Sequence, residues 1–374
     1  MKLQHKFGLL LSSLSLFSFI SSAEAEPKVV TSIKPIHSLV SYVMDGVGRP
    51  DLLVDGSSSP HTFQLKPSHA TMLQEADIVF WIGEDLESFL ETPLDSIAAN
   101  AKRVTLMDSD QIELLKFREK NVFDDHHDDH DDHDEHEDHA DGHDEHDEHD
   151  EHDEHEGHDD HDEHEGHDEH DEHEGHDDHD EHEGHDEHDE HDEHDEHEGH
   201  DDHAHHHGEH DIHFWLDPEI AKSIVNITAR ELSEIDPNNK STYEKNAANA
   251  IDDLEELINV TRSKINSDAT YIVFHDAYQY FEQRFGIEVI GALTVNPEVL
   301  PGAKQLSEIR EVIEHENVNC LFSEPQFNPS IANTIAKDTG IKAAVLDPLG
   351  AELEPGKDLY FELISDMASS FENC

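Results

Sequence analysis

Basic residues, cysteines and long apolar segments are all scarce in this chain of 374 residues. Lys and Arg number 23 against 92 Asp and Glu, which gives a formal charge of −69. A chain this acidic repels phosphate backbones and anionic lipid headgroups, so we expect neither nucleic-acid binding nor peripheral attachment to anionic membranes. No apolar run reaches the ~20 residues that a membrane-spanning helix needs.

The first residues have the pattern of an export signal. Lys2 and Lys6 precede an apolar stretch over 7–20, and residues 23–25 (Ala-Glu-Ala) fit the small-x-small cleavage rule. We therefore expect residues 1–25 to be a cleaved signal peptide. A membrane anchor is the weaker alternative, because the apolar run is short and a cleavage site follows it.

Only two cysteines occur, Cys320 and Cys374. Export to an oxidising compartment favours a single disulfide, because no third thiol is left over. Two unrelated thiols are the alternative.

Negative charge is concentrated between Asp124 and Asp211. Of these 88 residues, 31 are His, 48 are Asp or Glu, and the remainder are Gly or Ala. Such a segment lacks the apolar surface that offsets the entropy of ordering, so we predict a disordered loop. The rest of the chain has ordinary apolar content, and its length suits two domains of ~100–150 residues or one large domain.

The acidic loop has the composition of a metal collector. Imidazole and carboxylate are the ligands of Zn²⁺, and imidazole also suits Ni²⁺ and Cu²⁺. With four ligands per ion, the loop would hold at most about seven to eight ions, each weakly. A solvating spacer is the alternative, but a spacer needs no His. The loop contains no His-Glu-x-x-His, so the helical zinc-protease motif is absent from it. The histidines that we expect to collect metal are His126, His127, His130, His133, His136, His203, His205, His206, His207 and His210.

Outside the loop, β-branched apolar runs alternate with helical patterns, which predicts parallel sheets with crossover helices. Before the loop, the predicted strands are 29–33, 52–54, 78–82 and 104–106. One predicted helix begins at 35, and two others span 66–76 and 84–98. After the loop, the predicted helices are 218–235, 237–266, 276–285, 301–315 and 329–339, and the predicted strands are 271–274, 287–290, 318–322 and 341–346.

This alternation predicts an α/β protein with two βα lobes. The first lobe spans 26–236 and contains the acidic loop (124–211), a linker helix of ~42 Å spans 237–266, and the second lobe spans 267–374. Ligands of open α/β sheets bind beyond the carboxyl ends of the strands, so a cleft between the lobes is the expected binding site.

Four residues with metal-ligand side chains stand at loop positions. His61 follows the second strand, His213 ends the acidic region, His275 follows a strand of the second half, and Asp347 follows the last strand. Three imidazoles with a carboxylate or a water form a tetrahedral Zn²⁺ set. Spacing alone is a weak signal, since an isolated His is as often structural as functional.

The other three histidines of the predicted lobes lack this placement. We interpret His37 and His315 as structural or surface residues, and we expect His69, early in a helix, to be exposed.

Several motifs extend over nearly the whole chain outside the acidic loop. Together they resemble the zinc-binding proteins of bacterial high-affinity zinc ABC importers, the ZnuA type of cluster A-I solute-binding proteins. An acidic His-rich loop just before the second ligand is itself a mark of the zinc members. The matching stretches are Ser59-Pro60-His61, Lys66-Pro67-Ser68, Phe214-Trp215-Leu216-Asp217-Pro218, Phe274-His275-Asp276-Ala277-Tyr278, Val295-Asn296-Pro297-Glu298, Ser323-Glu324-Pro325-Gln326-Phe327 and Leu346-Asp347-Pro348-Leu349-Gly350.

The resemblance implies a periplasmic, non-enzymatic protein that captures Zn²⁺ between its lobes and delivers it to an inner-membrane ABC permease. It implies His61, His213 and His275 as ligands. Asp347 or a water is then the fourth ligand, because proline precedes His61 where some zinc members carry an acidic ligand. It also implies a disulfide between the two cysteines. We expect a monomer.

Three alternatives stay open at this point. Manganese-binding relatives look similar, but they tend to carry an acidic residue at the position of His275. A periplasmic metal buffer would need no permease. A zinc hydrolase would use the same three histidines with a bound water and a general base, for which Asp347 is the candidate.

Overall fold

The computed structural model describes five segments of the chain. These are residues 26–118, 120–122, 208–265, 269–297 and 299–374. Their contacts group them into a single unit. The predicted signal peptide and the predicted acidic loop up to residue 207 lie outside the described residues, so both stay predictions. None of the described helices has the length and apolar character that crossing a bilayer requires.

The first sheet has four parallel strands in the order β2-β1-β3-β4. Its central strands β1 and β3 are buried along their whole length, as expected for a parallel sheet covered by helices on both faces. The elements are β1 (Val29–Ile33), α1 (Lys34–Val43), β2 (Asp51–Val54), α2 (Pro67–Glu75), β3 (Ile78–Trp81), α3 (Ser88–Ser96) and β4 (Lys102–Thr105).

The second sheet repeats this topology. Its four parallel strands have the order β6-β5-β7-β8, which matches the first sheet strand for strand. The loops at the carboxyl ends of β2 and β5 are therefore natural positions for a shared site. The elements are β5 (Thr270–His275), α6 (Gln279–Phe285), β6 (Glu288–Thr294), α7 (Ala303–His315), β7 (Cys320–Ser323), α8 (Ser330–Thr339) and β8 (Lys342–Val345).

Three further helices lie between and beside the sheets. They are α4 (Pro218–Ile235), α5 (Lys240–Lys264) and α9 (Leu359–Glu372). The 25 residues of α5 pack on α1, α4 and α9, so this long helix contacts elements from both halves of the chain. The predicted α/β fold with two parallel sheets and a long joining helix is confirmed. The boundaries of the domains at 236 and 266 stay a prediction.

A continuous core joins the two halves of the chain. Its buried members include Val30 and Phe80 from the first sheet, Trp215 from the connection, and Tyr271 and Phe371 from the second half. A smaller apolar cluster fills the space beneath α7 and α8. Because one core spans both sheets, the lobes are held together by packing as well as by the chain.

Several elements differ from the prediction at their ends. Helix α9 has no predicted counterpart, and β6 extends four residues beyond the predicted end, to Thr294. Helix α3 begins at Ser88 instead of residue 84, because the preceding residues form a turn that Glu87 closes by accepting a hydrogen bond from Gly83 N at 3.0 Å.

The predicted disulfide between Cys320 and Cys374 is confirmed. The two Cα atoms lie 5.8 Å apart, and the bond links β7 to the residue at the end of the chain beyond α9. It thereby fixes the helix that the prediction missed against the second sheet.

The expectation that His69 is exposed is wrong. Its side chain is buried because the ring stacks on Phe63 at 5.4 Å, and its Nδ1 accepts a hydrogen bond from Lys66 N at the start of α2. His37 is buried in α1, and His315 is exposed at the end of α7, as their interpretation as structural or surface residues predicted.

A buried carboxylate in the first lobe gives a pH-dependent stability. Burial raises the pKa of Glu87 from 4.5 to about 7, although the backbone N–H groups of Gly83 and Ile82, which donate to its carboxylate, partly oppose this shift. A raised pKa in the folded state means that the stabilising contribution is present below pH 4.5 and is lost as the pH rises through 7. Glu87→Gln removes this ionisable group. The change that it causes in the free energy of unfolding should therefore be about 3 kcal/mol more favourable at pH 8 than at pH 4.5.

Urea unfolding at both pH values checks this prediction. The exposed Glu91 of α3 supplies the control variant, Glu91→Gln. An equal effect of Glu87→Gln at the two pH values would contradict the prediction.

Candidate metal site

Three histidines that are far apart in the sequence meet at the carboxyl ends of the two sheets. His61 lies in the short 3-10 turn after β2, where Ser59 Oγ accepts a hydrogen bond from His61 N at 3.3 Å. His213 directly precedes the 3-10 turn Phe214–Leu216 that leads into α4. His275 is the last residue of β5. The structure thus brings together the three histidines that the sequence singled out.

The three rings form a tight cluster. One nitrogen from each ring lies within 4.8 Å of the other two, and no other such group of His, Cys, Asp or Glu occurs among the residues that the structure describes. The Nε2 atoms of His213 and His275 are 3.3 Å apart. Both of these residues are buried, whereas His61 is half-buried at the open side of the cluster.

Each buried histidine has a carboxylate within hydrogen-bond distance of its Nδ1, the ring nitrogen that does not face the other ring. His213 Nδ1 lies 2.7 Å from Asp211 Oδ1, and His275 Nδ1 lies 3.1 Å from Glu324 Oε1. An ionised carboxylate can only accept a hydrogen bond, so each Nδ1 carries the proton and donates it. In the neutral ring this leaves a lone pair on Nε2, and the carboxylate makes that nitrogen a better metal ligand.

This arrangement fits a tetrahedral cation. Two Nε2 lone pairs that face each other across 3.3 Å repel unless a proton or a metal cation lies between them. Nitrogen ligands of tetrahedral Zn²⁺, each at 2.0–2.1 Å from the metal, are separated by about 3.3 Å. The observed spacing therefore matches an edge of a zinc coordination tetrahedron.

The pKa shifts of the two buried rings run in opposite directions. Burial, reinforced by the charge on His275, holds the pKa of His213 well below its usual value. Burial also lowers the pKa of His275, but Glu324, Asp276 and Asp211 outweigh it, so the net shift is upward. The carboxylates around His275 would stabilise a metal cation bound at its Nε2 as they stabilise a proton, and the lowered pKa of His213 favours the neutral ring that can bind a metal.

The segment before the acidic loop and the last residues of that loop form a short antiparallel ribbon beside the cluster. Lys116 pairs with His210, Phe117 N donates to Glu209 O at 3.2 Å, and Asp211 N donates to Leu115 O at 2.9 Å. The returning arm of this ribbon therefore carries Asp211 into the position where it contacts His213.

The outgoing arm of the ribbon is fixed to the second lobe. Arg118 Nη1 lies 3.0 Å from Asp276 Oδ1, next to His275, and its other nitrogen bonds Glu282. Burial raises the pKa of Asp276 to about 6 and that of Glu282 to about 7, and the charge of Arg118 opposes both shifts.

Asp347 is not part of the histidine group. Its Oδ1 accepts hydrogen bonds from Leu349 N at 3.0 Å and Gly350 N at 3.1 Å, and its Oδ2 accepts one from Ala351 N at 2.6 Å. Gln326 Nε2 donates a further bond to Oδ1 at 2.9 Å. Both oxygens are thus engaged in holding the loop after β8.

Of the histidines predicted to collect metal, only His210 lies among the described residues. It lines a cavity that His61, His213, His275 and Asp85 also line. The other nine predicted collectors lie outside the described residues, so their role stays a prediction.

Two residues that shape the cluster were missed in the sequence. Asp211 is one of many acidic residues in the loop, and nothing in its local sequence distinguishes it. Glu324 belongs to a recognised motif, but its partner His275 is 49 residues away.

The fold and the cluster together define a two-lobed α/β protein with a candidate metal site at the carboxyl ends of its sheets. Residues 29–374 match the family model of ZnuA, described as zinc-uptake complex component A, periplasmic. The chain belongs to this family, and the resemblance stated from the motifs is confirmed.

Curated relatives match along almost their whole length. The high-affinity zinc uptake system protein ZnuA of Brucella abortus (strain 2308) is 42% identical over 371 residues, which cover 98% of each chain. The protein of the same name from Haemophilus influenzae is 38% identical over 368 residues, also 98% of each chain.

Solved structures share the fold. A crystal structure of ZnuA has a TM-score of 0.62 and 21% identity, and the match covers 92% of this chain and 98% of that one. The solute-binding protein FpvC from Pseudomonas aeruginosa, in complex with Mn²⁺, has a TM-score of 0.64 and 16% identity over 93% and 98% of the two chains. The fold alone therefore does not specify the metal.

Proposed function

We propose that this chain is the periplasmic solute-binding protein of a high-affinity zinc ABC importer. It binds one Zn²⁺ through His61, His213 and His275 and delivers the ion to an inner-membrane permease. The observation that carries this proposal is the pair of carboxylate-bound imidazoles whose Nε2 atoms face each other at 3.3 Å. The names of the curated relatives support the same function.

The ligand chemistry favours zinc over manganese. Imidazole suits Zn²⁺, whereas carboxylate, carbonyl and water oxygens suit Mn²⁺. The group contains three imidazoles and no carboxylate. Glu324 and Asp211 contact the outer nitrogens of the rings, so they tune the ligands and leave the inner nitrogens to the metal.

Contacts between the halves of the chain favour small motions on binding and release. Lys34, at the start of α1, donates hydrogen bonds to the carbonyl oxygens of Gly350, Ala351 and Leu353 at 2.9–3.1 Å. Trp215 Nε1 donates to Pro348 O at 2.9 Å. These bonds and the shared core support loop movement in preference to wide opening of the lobes.

A hydrolase function receives no support from the site. A zinc hydrolase needs a general base that is free to take a proton from the metal-bound water. Asp347 is engaged by four N–H donors, and Glu324 and Asp211 are engaged by the ligand rings. The importer is therefore the better interpretation of the three histidines.

With the acidic loop, the proposal includes two tiers of zinc binding, one weak and one tight. The His-rich sequence of the loop gathers Zn²⁺ weakly, and the cluster binds one ion tightly. The arm of the ribbon that ends the loop leads directly to His213, so ions held near the end of the loop lie close in sequence to the tight site.

Growth under zinc limitation tests the proposal. A host strain that lacks this protein should grow poorly with a zinc chelator, and added zinc, but not manganese, should restore growth. The wild-type gene and the His315→Ala control should complement, whereas His213→Ala should not. Rescue by manganese alone would support the manganese alternative, and full growth of the deletion strain would favour a buffer without a permease.

A further inference from the structure

The three imidazoles supply three corners of a tetrahedron, and the fourth corner needs a ligand. The cavity that His61, His213 and His275 line is also lined by Gln326. The Oε1 atom of Gln326 is buried and has no hydrogen-bond donor among the described residues. A buried carbonyl oxygen without a donor is costly, so this atom marks a place where a donor belongs.

Asp347 fixes the orientation of this amide. Its carboxylate only accepts hydrogen bonds, and it already accepts three from backbone N–H groups. The NH₂ group of Gln326 must therefore face Asp347, as it does at 2.9 Å. Oε1 is the other end of the same amide, so it cannot also be satisfied by Asp347.

A metal-bound water is the donor that fits. Zinc takes nitrogen, sulfur and carboxylate oxygen ligands, and an amide oxygen is a poor direct ligand for it. A water on zinc is polarised by the metal and becomes a strong hydrogen-bond donor. Such a water completes the tetrahedron and donates to the oxygen that lacks a partner.

We propose that Gln326 is a positioning residue for the fourth zinc ligand: its Oε1 accepts a hydrogen bond from a water that completes the coordination of His61, His213 and His275. This inference rests on the proposed function. It also gives Asp347 a role, because Asp347 orients the amide and does not bind the metal.

The acceptor also selects the kind of fourth ligand. A carbonyl oxygen attracts a neutral water that donates to it, and it repels an anion in the same position. Gln326 should therefore keep small anions off the bound metal. Removal of this oxygen should weaken the water and admit anions.

Two substitutions at this position separate the roles of the amide. Gln326→Met keeps the length of the side chain but removes both the acceptor and the donor. Gln326→Glu keeps an acceptor and removes the donor to Asp347. Gln74→Met, at an exposed position of α2, is the control.

The test uses the full mature chain with zinc titrated against a competing chelator, and with azide titrated into the Co²⁺ form, whose visible spectrum reports the fourth ligand. We expect Gln326→Met to bind zinc about 10-fold more weakly and to bind azide more tightly than the wild type. Gln326→Glu should bind zinc at least as tightly as the wild type and should resist azide.

Either of two results would overturn the inference. Gln326→Met could match the wild type in both titrations, or Gln326→Glu could be as impaired as Gln326→Met, which would show that the amide serves Asp347 alone. Failure of the proposed function is a separate result, because wild-type protein would then lack a tight zinc site that depends on the histidines.

Discussion

Replacing His275 with alanine should weaken zinc binding by more than about 100-fold. The free energy of a four-ligand zinc site is ~10–16 kcal/mol, so one ligand in four contributes about 3 kcal/mol. The loss at this position is larger still, because Glu324 would be left buried without the Nδ1 proton that it accepts. Zinc titration against a competing chelator measures the change.

Glu324→Gln should give a smaller loss, of about 10-fold. The amide oxygen can still accept from His275 Nδ1 and preserve the tautomer, but the negative charge that strengthens the ligand is removed. The exposed His315 supplies the control variant His315→Ala, which should bind zinc as the wild type does. Equal affinities for His275→Ala and His315→Ala would contradict the account of the site.

Deleting the acidic loop should preserve or weaken tight zinc binding, depending on where the deletion ends. Replacement of residues 124–207 by a short Gly-Ser linker removes the predicted collectors but retains the ribbon and Asp211. One tight zinc site should survive, with the weaker sites lost. Extending the same deletion to residue 211 removes Asp211, and the affinity of the tight site should fall by about 10- to 100-fold.

The reason for the difference is local. Asp211 Oδ1 bonds both the ring and the backbone N–H of His213, at 2.7 and 2.9 Å, so it fixes the orientation and the tautomer of that ligand. Asp211→Asn in the full chain should reproduce most of the loss. Equally tight zinc binding by both deletions would show that Asp211 has no role in the site, and loss of the tight site in the shorter deletion would refute the two-tier picture.

The fold followed from local patterns to a large extent. Apolar runs such as 78–82 and 271–274 marked the strands, and the rule that loops at strand ends carry ligands placed His61 and His275 in one cleft. Helix α9 was missed although Leu359, Leu363 and Met367 recur at helical spacing in it. The sequence therefore carries the signal of this helix.

The carboxylates that support the histidine ligands could not be predicted from the sequence. Glu324 and Asp211 act because folding places each carboxylate within 3.1 Å of a ring nitrogen, and this distance has no signature along the chain. Part of the role of Asp347 likewise depends on a residue that is distant in sequence. A loop of the form Asp-Pro-x-Gly predicts bonds to nearby backbone N–H groups, but its bond to Gln326 depends on how two strand ends meet.

A crystal structure of the zinc-loaded mature protein, with anomalous scattering recorded on both sides of the zinc absorption edge, tests the central claim most directly. The account predicts one fully occupied zinc peak within about 2.1 Å of one nitrogen from each of His61, His213 and His275. A zinc peak that lies elsewhere, with the three rings left without metal, would contradict it.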